Sequence, residues 1–374
     1  MHLHPWIWQS PQWPTFTWRA ETMAPLLRAC AKAQGQLLGL AASSDADSTG
    51  HEALDALLQN ILTTSAIEGE TLNVGSVRSS LARRLGLEDS APVTPRSESM
   101  AELMFQATRQ PELQLTLSRL VHWHTLLFPV DDSLATQSIQ VGKLRGSEPM
   151  QVVSGRLDRP TVHFEAPPRE GLDQQLEKFL LWFSQSRDDA TLDPLLRAGI
   201  AHFWFVTLHP FDDGNGRLTR AITDLALTQA DPQAIRFYTM SASILADRKG
   251  YYQILESSQK STVEISAWLE WFLRTLLDSL EQALWRIHRL LAKTRFWQQH
   301  RGDELSTEQV KVLNRLLDGG PKGFADGISA SQYQAVAKVS KATASRHLAD
   351  LLKKGCLHRL PAGGRSTRYV LAPA

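Results

Sequence analysis

The sequence predicts a mainly α-helical protein with one β-hairpin in its middle and a small C-terminal unit of helices and a second hairpin. Three observations lead to this class. Apolar residues recur at helical spacing over most of the chain. Between Gln140 and Pro168 this periodicity gives way to short strand-like runs with glycine turns. Residues 301–374 combine short helical patterns with alternating residues around Gly363 and Gly364.

The composition is that of a globular chain of nearly neutral charge. Its 374 residues are 43% hydrophobic, enough to bury a core in several domains. The 40 Lys and Arg residues nearly balance the 39 Asp and Glu residues, so any polyanion-binding patch is local. Cys30 and Cys356 have no metal-site or disulfide spacing. Met1 to Trp18 lacks a signal-peptide core and no apolar run could span a bilayer, so we expect a cytoplasmic protein with no membrane segment.

We expect residues 1–90 to be an aromatic segment followed by helices. The first tryptophans alternate with polar residues, which fits either a short strand pair or an extended arm packed on the protein. Helical periodicity predicts helices over Glu21–Leu40 and Glu52–Glu68, joined by a polar linker at Ser43–Gly50. Gly69 is placed to end the second helix.

Residues 91–300 are predicted to be a helical core around the central hairpin. Within the helix predicted over Gln114–Phe128, His122 and His124 are two apart and face different directions, so we expect core or surface histidines rather than a shared metal site. The strand-like runs are Gly142–Arg145, Met150–Val153 and Thr161–Phe164. Other helices are expected over Asn73–Leu85, Ser97–Thr108, Leu172–Ser186, Pro194–Leu208, from Arg248 onward, and over Val263–His300 as one helix or two.

The stretch from His209 to Arg220 joins two apolar helical runs and has the composition of an anion-binding loop. Its glycines, Gly214 and Gly216, allow a ligand to approach the backbone closely. The helix that follows presents free amides and the positive end of its dipole at its N-terminus. Arg217 and Arg220 are three apart and share one face of that helix, where both can clamp oxyanions.

The same stretch contains the groups for phosphoryl-type chemistry. Asp213 offers a carboxylate for a hard divalent cation that bridges phosphate oxygens. His209 lies just before the expected phosphate site and can accept a proton from an incoming hydroxyl. A histidine alone would more simply be a core residue, but the whole constellation favours a site.

These residues resemble the Fic family signature, His-x-Phe-x-Asp/Glu-Gly-Asn-Gly-Arg-x-x-Arg, and meet every fixed position. The resemblance implies a helical core with a β-hairpin flap and an enzyme that transfers AMP from ATP to a protein hydroxyl. It makes His209 the general base and Asp213 the Mg²⁺ ligand. The residues that it implies for binding or neutralising the phosphates are Gly214, Asn215, Gly216, Arg217 and Arg220.

Tyr251 and Tyr252 follow Arg248 in the next helical run. An aromatic pair there could flank the adenine, and Fic proteins often carry tyrosines at this place. Tyr252 is therefore our further ATP-binding candidate, with core packing of the pair as the alternative.

Glu68 lies in the last turn of its predicted helix, where a negative charge opposes the helix dipole and requires a cationic partner. The stretch resembles the Fic inhibitory motif, Ser/Thr-x-x-x-Glu-Gly/Asn, with Thr64, Glu68 and Gly69 at its fixed positions. The resemblance implies that Glu68 pairs with Arg220 and intrudes on the γ-phosphate site. The alternative is a solvated glutamate at a helix end.

An isolated hairpin in a helical protein has unpaired edges that something must use or protect. The resemblance supplies a use, since the Fic flap holds the target segment as an added strand. We therefore expect a protein substrate at residues 140–165. A simple lid or structural ribbon is the alternative.

The C-terminal unit, residues 301–374, resembles a winged helix-turn-helix. The helix that starts at Ser340 would be the recognition helix, with Arg365 and Arg368 in the wing. Phosphate contacts are expected from Lys341, Ser345 and Arg346. Such units also serve as protein-docking or dimerisation modules, so a DNA partner, a protein partner and a homodimer all stay open.

The function that we predict is protein adenylyltransferase activity with ATP and Mg²⁺ on a Ser, Thr or Tyr hydroxyl, autoinhibited by Glu68. By the same resemblance, family members that transfer the γ-phosphate have a degenerate loop with Lys at the position of Gly216. Because this chain has Gly216, γ-phosphate transfer is disfavoured here. The alternatives are a nucleotide-sensing DNA-binding regulator without turnover, and an enzyme that removes AMP.

Overall fold

The computed structural model describes residues 6–41, 46–87, 92–129, 139–156, 159–233, 237–319, 324, 326–361 and 367–372. The chain forms two compact units, Met1–Ala283 and Leu284–Ala374. The first unit is mainly helical and contains the central hairpin, as the sequence predicts. No helix among the described residues is long and apolar enough to cross a membrane.

The aromatic N-terminal segment is a packing anchor and not a strand pair. It forms a short 3-10 turn at Ile7–Gln9. The Trp8 indole donates a hydrogen bond of 2.7 Å to the carbonyl of Glu165. The Trp6 ring lies edge-on to Phe164 with 5.5 Å between centroids. The segment thus fastens the end of the central hairpin, and its large rings exclude water there.

The next helices differ from prediction mainly at one boundary. Helix α1 spans Ala20–Ala41, α2 spans Ala46–Ile67 and α3 spans Val74–Arg84. The predicted linker, Ser43–Gly50, is therefore wrong from residue 46 onward, because its small and acidic residues are compatible with the first turns of a helix. Gly69 ends α2 with a φ of +81°, as expected of a left-handed stop.

The core of the first unit is built around helix α7, Pro194–Leu208, whose side chains from Leu195 to Leu208 are all buried. A helix that is largely apolar and buried on every side must lie inside its domain. The other helices of this unit are α4 (Pro95–Arg109), α5 (Leu117–Leu127), α6 (Leu172–Gln185), α8 (Asn215–Ala230), α9 (Met240–Ala246) and α10 (Arg248–Gln259). Helix α9 has no counterpart among the predicted helices. The predicted closing pattern is one helix, α11 (Ser266–Gln299), which runs into the second unit.

The central hairpin pairs β1, Gln151–Arg156, with β2, Arg159–Glu165, in antiparallel fashion. The predicted strand at Gly142–Arg145 is wrong. Gly142 has a φ of +70° and this stretch forms a turn. The Arg145 guanidinium is used instead as a clamp, donating to the carbonyls of His209 and Pro167.

After the end of α11, the described residues of the second unit form three helices and a two-stranded ribbon. They are α12 (Thr307–Asp318), α13 (Ala330–Ala337), α14 (Lys341–Lys353), β3 (Leu357–Arg359) and β4 (Tyr369–Leu371). Val312, Tyr333 and Leu348 lie in its buried core. Arg368 donates to the carbonyl of Gly327, whereas Arg365 lies outside the described residues. The element order agrees with the sequence analysis, and the winged helix itself stays a prediction.

Candidate active site

A cavity of about 720 Å³ lies in the first unit between the central hairpin, α10 and the loop that joins α7 to α8. Residues from His209 to Gly216, except the buried Pro210 and Phe211, line it. The opposite walls include Val152 of the hairpin and Tyr252 of α10. The structure therefore brings the predicted loop to an open, ligand-sized space.

His209 caps the C-terminus of α7 in the left-handed conformation, with a φ of +48°. This conformation is uncommon for a residue with a Cβ and is found at strained functional positions. The imidazole Nδ1 lies 3.2 Å from the carbonyl of Val206, which can only accept, so Nδ1 carries the proton. Burial lowers the pKa of His209 to about 4, and the nearby Arg145 charge adds to this effect. His209 is therefore neutral near pH 7, with the lone pair on Nε2.

The Asn215 side chain makes two hydrogen bonds within its own loop. Its side-chain oxygen accepts from the Phe211 amide at 3.0 Å, and its side-chain nitrogen donates to the Phe211 carbonyl at 2.7 Å. Gly214 precedes α8 with a φ of +79°, which turns the chain into the helix. Asn215 was predicted to bind phosphate with the loop amides. Its side chain is largely committed to loop geometry, which leaves the amides at the start of α8 as the main candidates.

His124 is a residue of the site whose role the sequence analysis missed. Its buried ring stacks on Phe211 with 4.3 Å between centroids. The Gly142 amide donates to Nδ1 at 2.9 Å, so Nε2 carries the proton and donates to the carbonyl of Asp213 at 3.2 Å. Burial lowers the pKa of His124, which favours this neutral form. The expectation of a core histidine is correct for His124, but the spacing argument could not show that it supports the loop.

The Asp213 carboxylate is 57% exposed and faces the cavity. One of its oxygens accepts from the Gly214 amide at 2.5 Å, and the other lies 3.6 Å from a nitrogen of Arg217. An accessible carboxylate beside the candidate phosphate site fits Mg²⁺, which takes one or two carboxylates together with phosphate oxygens and water.

Glu68 at the end of α2 and Arg220 of α8 form an ion pair, with 2.7 Å between Oε1 and Nη2. Two further bonds hold Arg220, one from Nε to the Thr64 hydroxyl at 2.6 Å and one to the Thr64 carbonyl at 3.1 Å. Burial alone would raise the pKa of Glu68, but the Arg220 charge and hydrogen bond hold it below its ordinary value. The predicted partner of Glu68 is therefore observed.

The position of the Glu68 carboxylate is set by a glycine. A Cβ atom on Gly216 would overlap Glu68 Oε1, so only glycine at this place lets the carboxylate lie against the first turn of α8. That turn carries the free amides and positive dipole of the helix. The Glu68 carboxylate therefore lies at the position where an anionic ligand would be most stable.

Arg217 has a different partner from Arg220. Its Nη1 donates to Glu70 Oε2 at 3.0 Å, and Glu70 also pairs with Arg96 of α4. The Arg217 side chain is 6% exposed and is absent from the described residues that line the cavity. The predicted clamp of two arginines on the phosphates is therefore not formed in this conformation, because Glu68 engages Arg220 and Glu70 engages Arg217; of the two, Arg220 lines the cavity. Glu70 is not among the predicted site residues.

The two tyrosines of α10 have separate environments. Tyr251 is buried, and its hydroxyl lies 3.0 Å from Nε2 of His202. Tyr252 is 38% exposed and lines the cavity, with the Arg248 guanidinium 5.6 Å from its ring centroid. Core packing, the alternative for the tyrosine pair, thus applies to Tyr251, whereas Tyr252 is accessible to a bound base.

Comparison with known proteins supports this fold. Residues 114–227 match the model of the Fic/DOC family, and residues 6–87 match a domain of unknown function, DUF4172. The chain therefore carries a Fic/DOC domain, as its signature loop predicts.

Two curated proteins illustrate the relationship. The chain is 25% identical over 262 residues to "Protein adenylyltransferase Fic" of Drosophila virilis, covering 67% of this chain and 48% of the relative. It is 26% identical over 212 residues to the protein of the same name from Nematostella vectensis, covering 56% and 45%. The chain thus spans about half the length of these relatives.

Solved structures share the fold. A Fic family protein from Desulfovibrio desulfuricans aligns with 93% of this chain and 96% of its own at a TM-score of 0.52 and 19% identity. A Fic domain protein from Bacteroides thetaiotaomicron aligns with 70% and 97% at the same score and identity.

Proposed function

We propose that this chain is a protein adenylyltransferase that transfers AMP from ATP to a hydroxyl of a protein. The observation that carries the proposal is His209, a neutral base that lines the cavity beside the first turn of α8. Relatives that are 25% and 26% identical to the chain over the aligned residues are named protein adenylyltransferase, which supports the same chemistry.

Each group has a role in the proposed reaction. The amides at the start of α8 bind phosphate oxygens, and Arg220, once free of Glu68, neutralises the triphosphate. His209 Nε2 accepts the proton of the attacking hydroxyl, the hydroxyl oxygen bonds to the α-phosphorus, and pyrophosphate leaves. Asp213 would hold Mg²⁺, which supplies neutralisation of phosphate charge when bound.

Autoinhibition by Glu68 is part of the proposal. Its carboxylate lies against Gly216 and engages Arg220, so a triphosphate meets both an occupied cation and a like charge. ATP bound under these conditions would have its α-phosphate misaligned for attack.

The test uses ATP labelled at the α-phosphate, Mg²⁺ and a cell lysate as the source of target proteins. Glu68→Gly should label lysate proteins strongly, the native chain weakly, and Glu68→Gly with His209→Ala not at all. Labelling that persists in the double variant would remove His209 from the mechanism. Loss of label from pre-labelled lysate proteins would instead favour AMP removal.

The central hairpin is the proposed docking site for the target segment. β1 and β2 form a two-stranded sheet, and Val153 of β1 is 51% exposed. An extended peptide can add to such an edge through main-chain hydrogen bonds, which would bring its hydroxyl to the cavity.

The second unit is proposed to contact nucleic acid. Lys341, Ser345 and Arg346 are exposed on α14, whereas Ala344 and Leu348 face the core. Two cations and a hydroxyl on the outer side of one helix suit phosphate contacts.

A further inference from the structure

Three side chains of the second unit form a cluster that the proposed reaction does not use. His300 follows the last residue of α11, Asp303 comes three residues later, and Cys356 directly precedes β3. A ring nitrogen, a carboxylate oxygen and the thiol sulfur of these residues all lie within 4.8 Å of one another. Imidazole nitrogen, carboxylate oxygen and thiolate sulfur are the three kinds of ligand by which proteins bind zinc.

From this geometry we propose that His300, Asp303 and Cys356 form a zinc site in the second unit. Three protein ligands leave the fourth tetrahedral position to water. The inference goes beyond the proposed function, because it assigns a metal of different chemistry from Mg²⁺ to side chains that are not among the described residues lining the cavity.

The distances between the ligand atoms fit tetrahedral zinc. With Zn–N of about 2.0 Å and Zn–S of about 2.3 Å, a nitrogen and a sulfur ligand lie about 3.5 Å apart. His300 Nδ1 and Cys356 Sγ are separated by 3.5 Å. Asp303 Oδ2 lies 2.7 Å from the same nitrogen, whereas a nitrogen and an oxygen ligand of zinc lie about 3.3 Å apart. The Asp303 side chain is 31% exposed and has room for this small outward shift.

The backbone presents the three side chains to one another. The Asp303 amide donates to the His300 carbonyl at 3.1 Å, so one turn after α11 carries two of the ligands. The Cys356 amide donates to the Leu351 carbonyl at 2.9 Å, and the Cys356 carbonyl accepts from the Ala372 amide at 3.1 Å. Cys356 lies 56 residues from His300, so no local sequence pattern predicts the cluster. A metal here would tie the end of α11 to the start of β3.

The burial of Cys356 suits a metal ligand and not a nucleophile. Its side chain is fully buried, and burial raises the pKa of the thiol to about 11, with the Asp303 charge adding to this effect. A catalytic cysteine needs a lowered pKa and access to a substrate. A zinc ligand needs neither, because the metal itself displaces the thiol proton, which passes to water.

The imidazole of His300 also changes its proton when zinc binds. Its Nδ1 faces a carboxylate oxygen of Asp303, which can only accept, so this nitrogen carries a proton in the metal-free chain. A nitrogen that binds zinc must be unprotonated. Zinc binding therefore moves the proton from Nδ1 to Nε2 or to water, and it exchanges one hydrogen bond for two bonds to the metal.

The charges around the cluster favour a divalent cation. The Asp303 carboxylate and the Cys356 thiolate together neutralise Zn²⁺. The Lys354 ammonium also acts on Cys356, but it donates to Asp350 at 2.7 Å and to the Glu304 carbonyl at 2.5 Å, so its charge is already paired. Mg²⁺ prefers oxygen ligands alone, and a sulfur and a nitrogen ligand therefore select zinc over it.

The test uses the full chain without an affinity tag, stripped of metal by a chelator and titrated with Co²⁺ as a spectroscopic substitute for Zn²⁺. We expect about one equivalent of Co²⁺ to produce tetrahedral d–d bands and a thiolate-to-cobalt charge-transfer band, which Zn²⁺ removes. Excess Mg²⁺ should leave these bands unchanged. Absence of the charge-transfer band in the native chain, or its removal by Mg²⁺, overturns the inference.

The two cysteines of the chain provide matched variants. Cys356→Ser should abolish the charge-transfer band, whereas Cys30→Ala, at the other buried cysteine, should keep it. A band that persists in Cys356→Ser, or that disappears in Cys30→Ala, places the metal elsewhere and overturns the inference.

A second pair of variants tests the carboxylate ligand. Asp303→Asn should lower the affinity for Zn²⁺ by about 100-fold or more, since even residues behind a metal ligand contribute about 10–100-fold. Asp318→Asn, which removes a largely exposed pair with Lys293, is the control. Equal affinities of the two variants for Zn²⁺ would remove Asp303 from the site.

A comparison without any substitution covers the case in which a variant does not fold. Zn²⁺ at about 100 times its Kd should slow hydrogen exchange at the end of α11 and in β3 of the native chain, because binding stabilises the folded form. The same addition should leave exchange in α7 unchanged. Native-chain exchange that does not respond to Zn²⁺ at the end of α11 contradicts the site.

Discussion

Glu68 Oε1 and Arg220 Nη2 lie 2.7 Å apart, and they join the C-terminal end of α2 to the first turns of α8. Arg220 is 2% exposed and also bonds to Thr64, so its Nε and Nη2 are not available to a ligand while this arrangement persists. The pair therefore links occupancy of the cavity to the position of one side chain.

Removal of this carboxylate should release activity. We expect Glu68→Gly to raise the rate of lysate-protein labelling from α-labelled ATP by about tenfold or more, because Arg220 becomes free for the triphosphate. Glu256→Gln is the control, since it removes a different cavity carboxylate that has no contact with Arg220 among the described bonds. A silent Glu68→Gly chain would contradict autoinhibition.

Loss of the Glu70 charge should instead weaken the fold. Glu70 bridges Arg217 and Arg96, and Arg217 is nearly buried, so Glu70→Gln leaves a buried cation poorly compensated. We expect the free energy of unfolding to fall by about 2 kcal/mol in urea denaturation. Glu270→Gln, which removes an exposed pair with Arg274, should change it by less than about 0.5 kcal/mol. Equal effects of the two substitutions would refute the bridging role.

The role of His124 in supporting the loop can be tested by comparing the substitution of His124 with that of His122. His124→Ala removes the contacts to Gly142, Asp213 and Phe211, so we expect the kcat/KM for ATP to fall by about tenfold or more. His122 lies two residues away and is exposed, so His122→Ala should leave the kcat/KM unchanged. Steady-state pyrophosphate release in the Glu68→Gly background measures both.

The low pKa of His209 sets the acid limit of the reaction. Protonation removes the lone pair that accepts the hydroxyl proton, so activity must fall as the pH decreases through the pKa of the free protein. With that pKa at about 4, the kcat/KM should stay level from neutral pH down to about pH 5 and decline below it. A decline centred near 6.5, the ordinary histidine value, would show that burial does not depress this pKa.

The basic side of α14 should give salt-dependent DNA affinity. In gel-shift titrations of the full chain with random duplex DNA, Lys341→Ala and Arg346→Ala should each reduce the salt slope by about one. Lys353, at the other end of α14, provides the control substitution. Absence of any shift by the native chain at low salt would argue for a protein partner instead.

Several parts of this molecule follow directly from its sequence. Helical periodicity located α7 to its exact ends, because its near-continuous apolar run begins with a capping Asp193 and Pro194 and stops at His209. The signature loop located residues that line the cavity, and the resemblance of Thr64–Gly69 to the inhibitory motif implied Arg220 as the partner of Glu68, since a short motif fixes both spacing and chemistry.

Other parts depend on contacts that no local pattern encodes. Glu70 is two residues from Glu68, yet its partners lie on α4 and α8. His124 supports the loop from α5, far away in sequence. The strand predicted at Gly142–Arg145 failed because its alternation cannot reveal that Gly142 has a positive φ. Tertiary packing decides each of these, and it overrides short-range preference.

The double engagement of Glu70 has a mechanical consequence for the end of α2. Glu70 pairs with Arg96 of α4 and Arg217 of α8, and these contacts do not depend on Glu68. The end of α2 therefore need not unwind or move away when a ligand binds in the cavity. A rotation of the Glu68 side chain about its own bonds is sufficient to open the way. Under the proposed autoinhibition by Glu68, the restraint is lifted on the timescale of a rotamer change and returns as quickly once the nucleotide has gone.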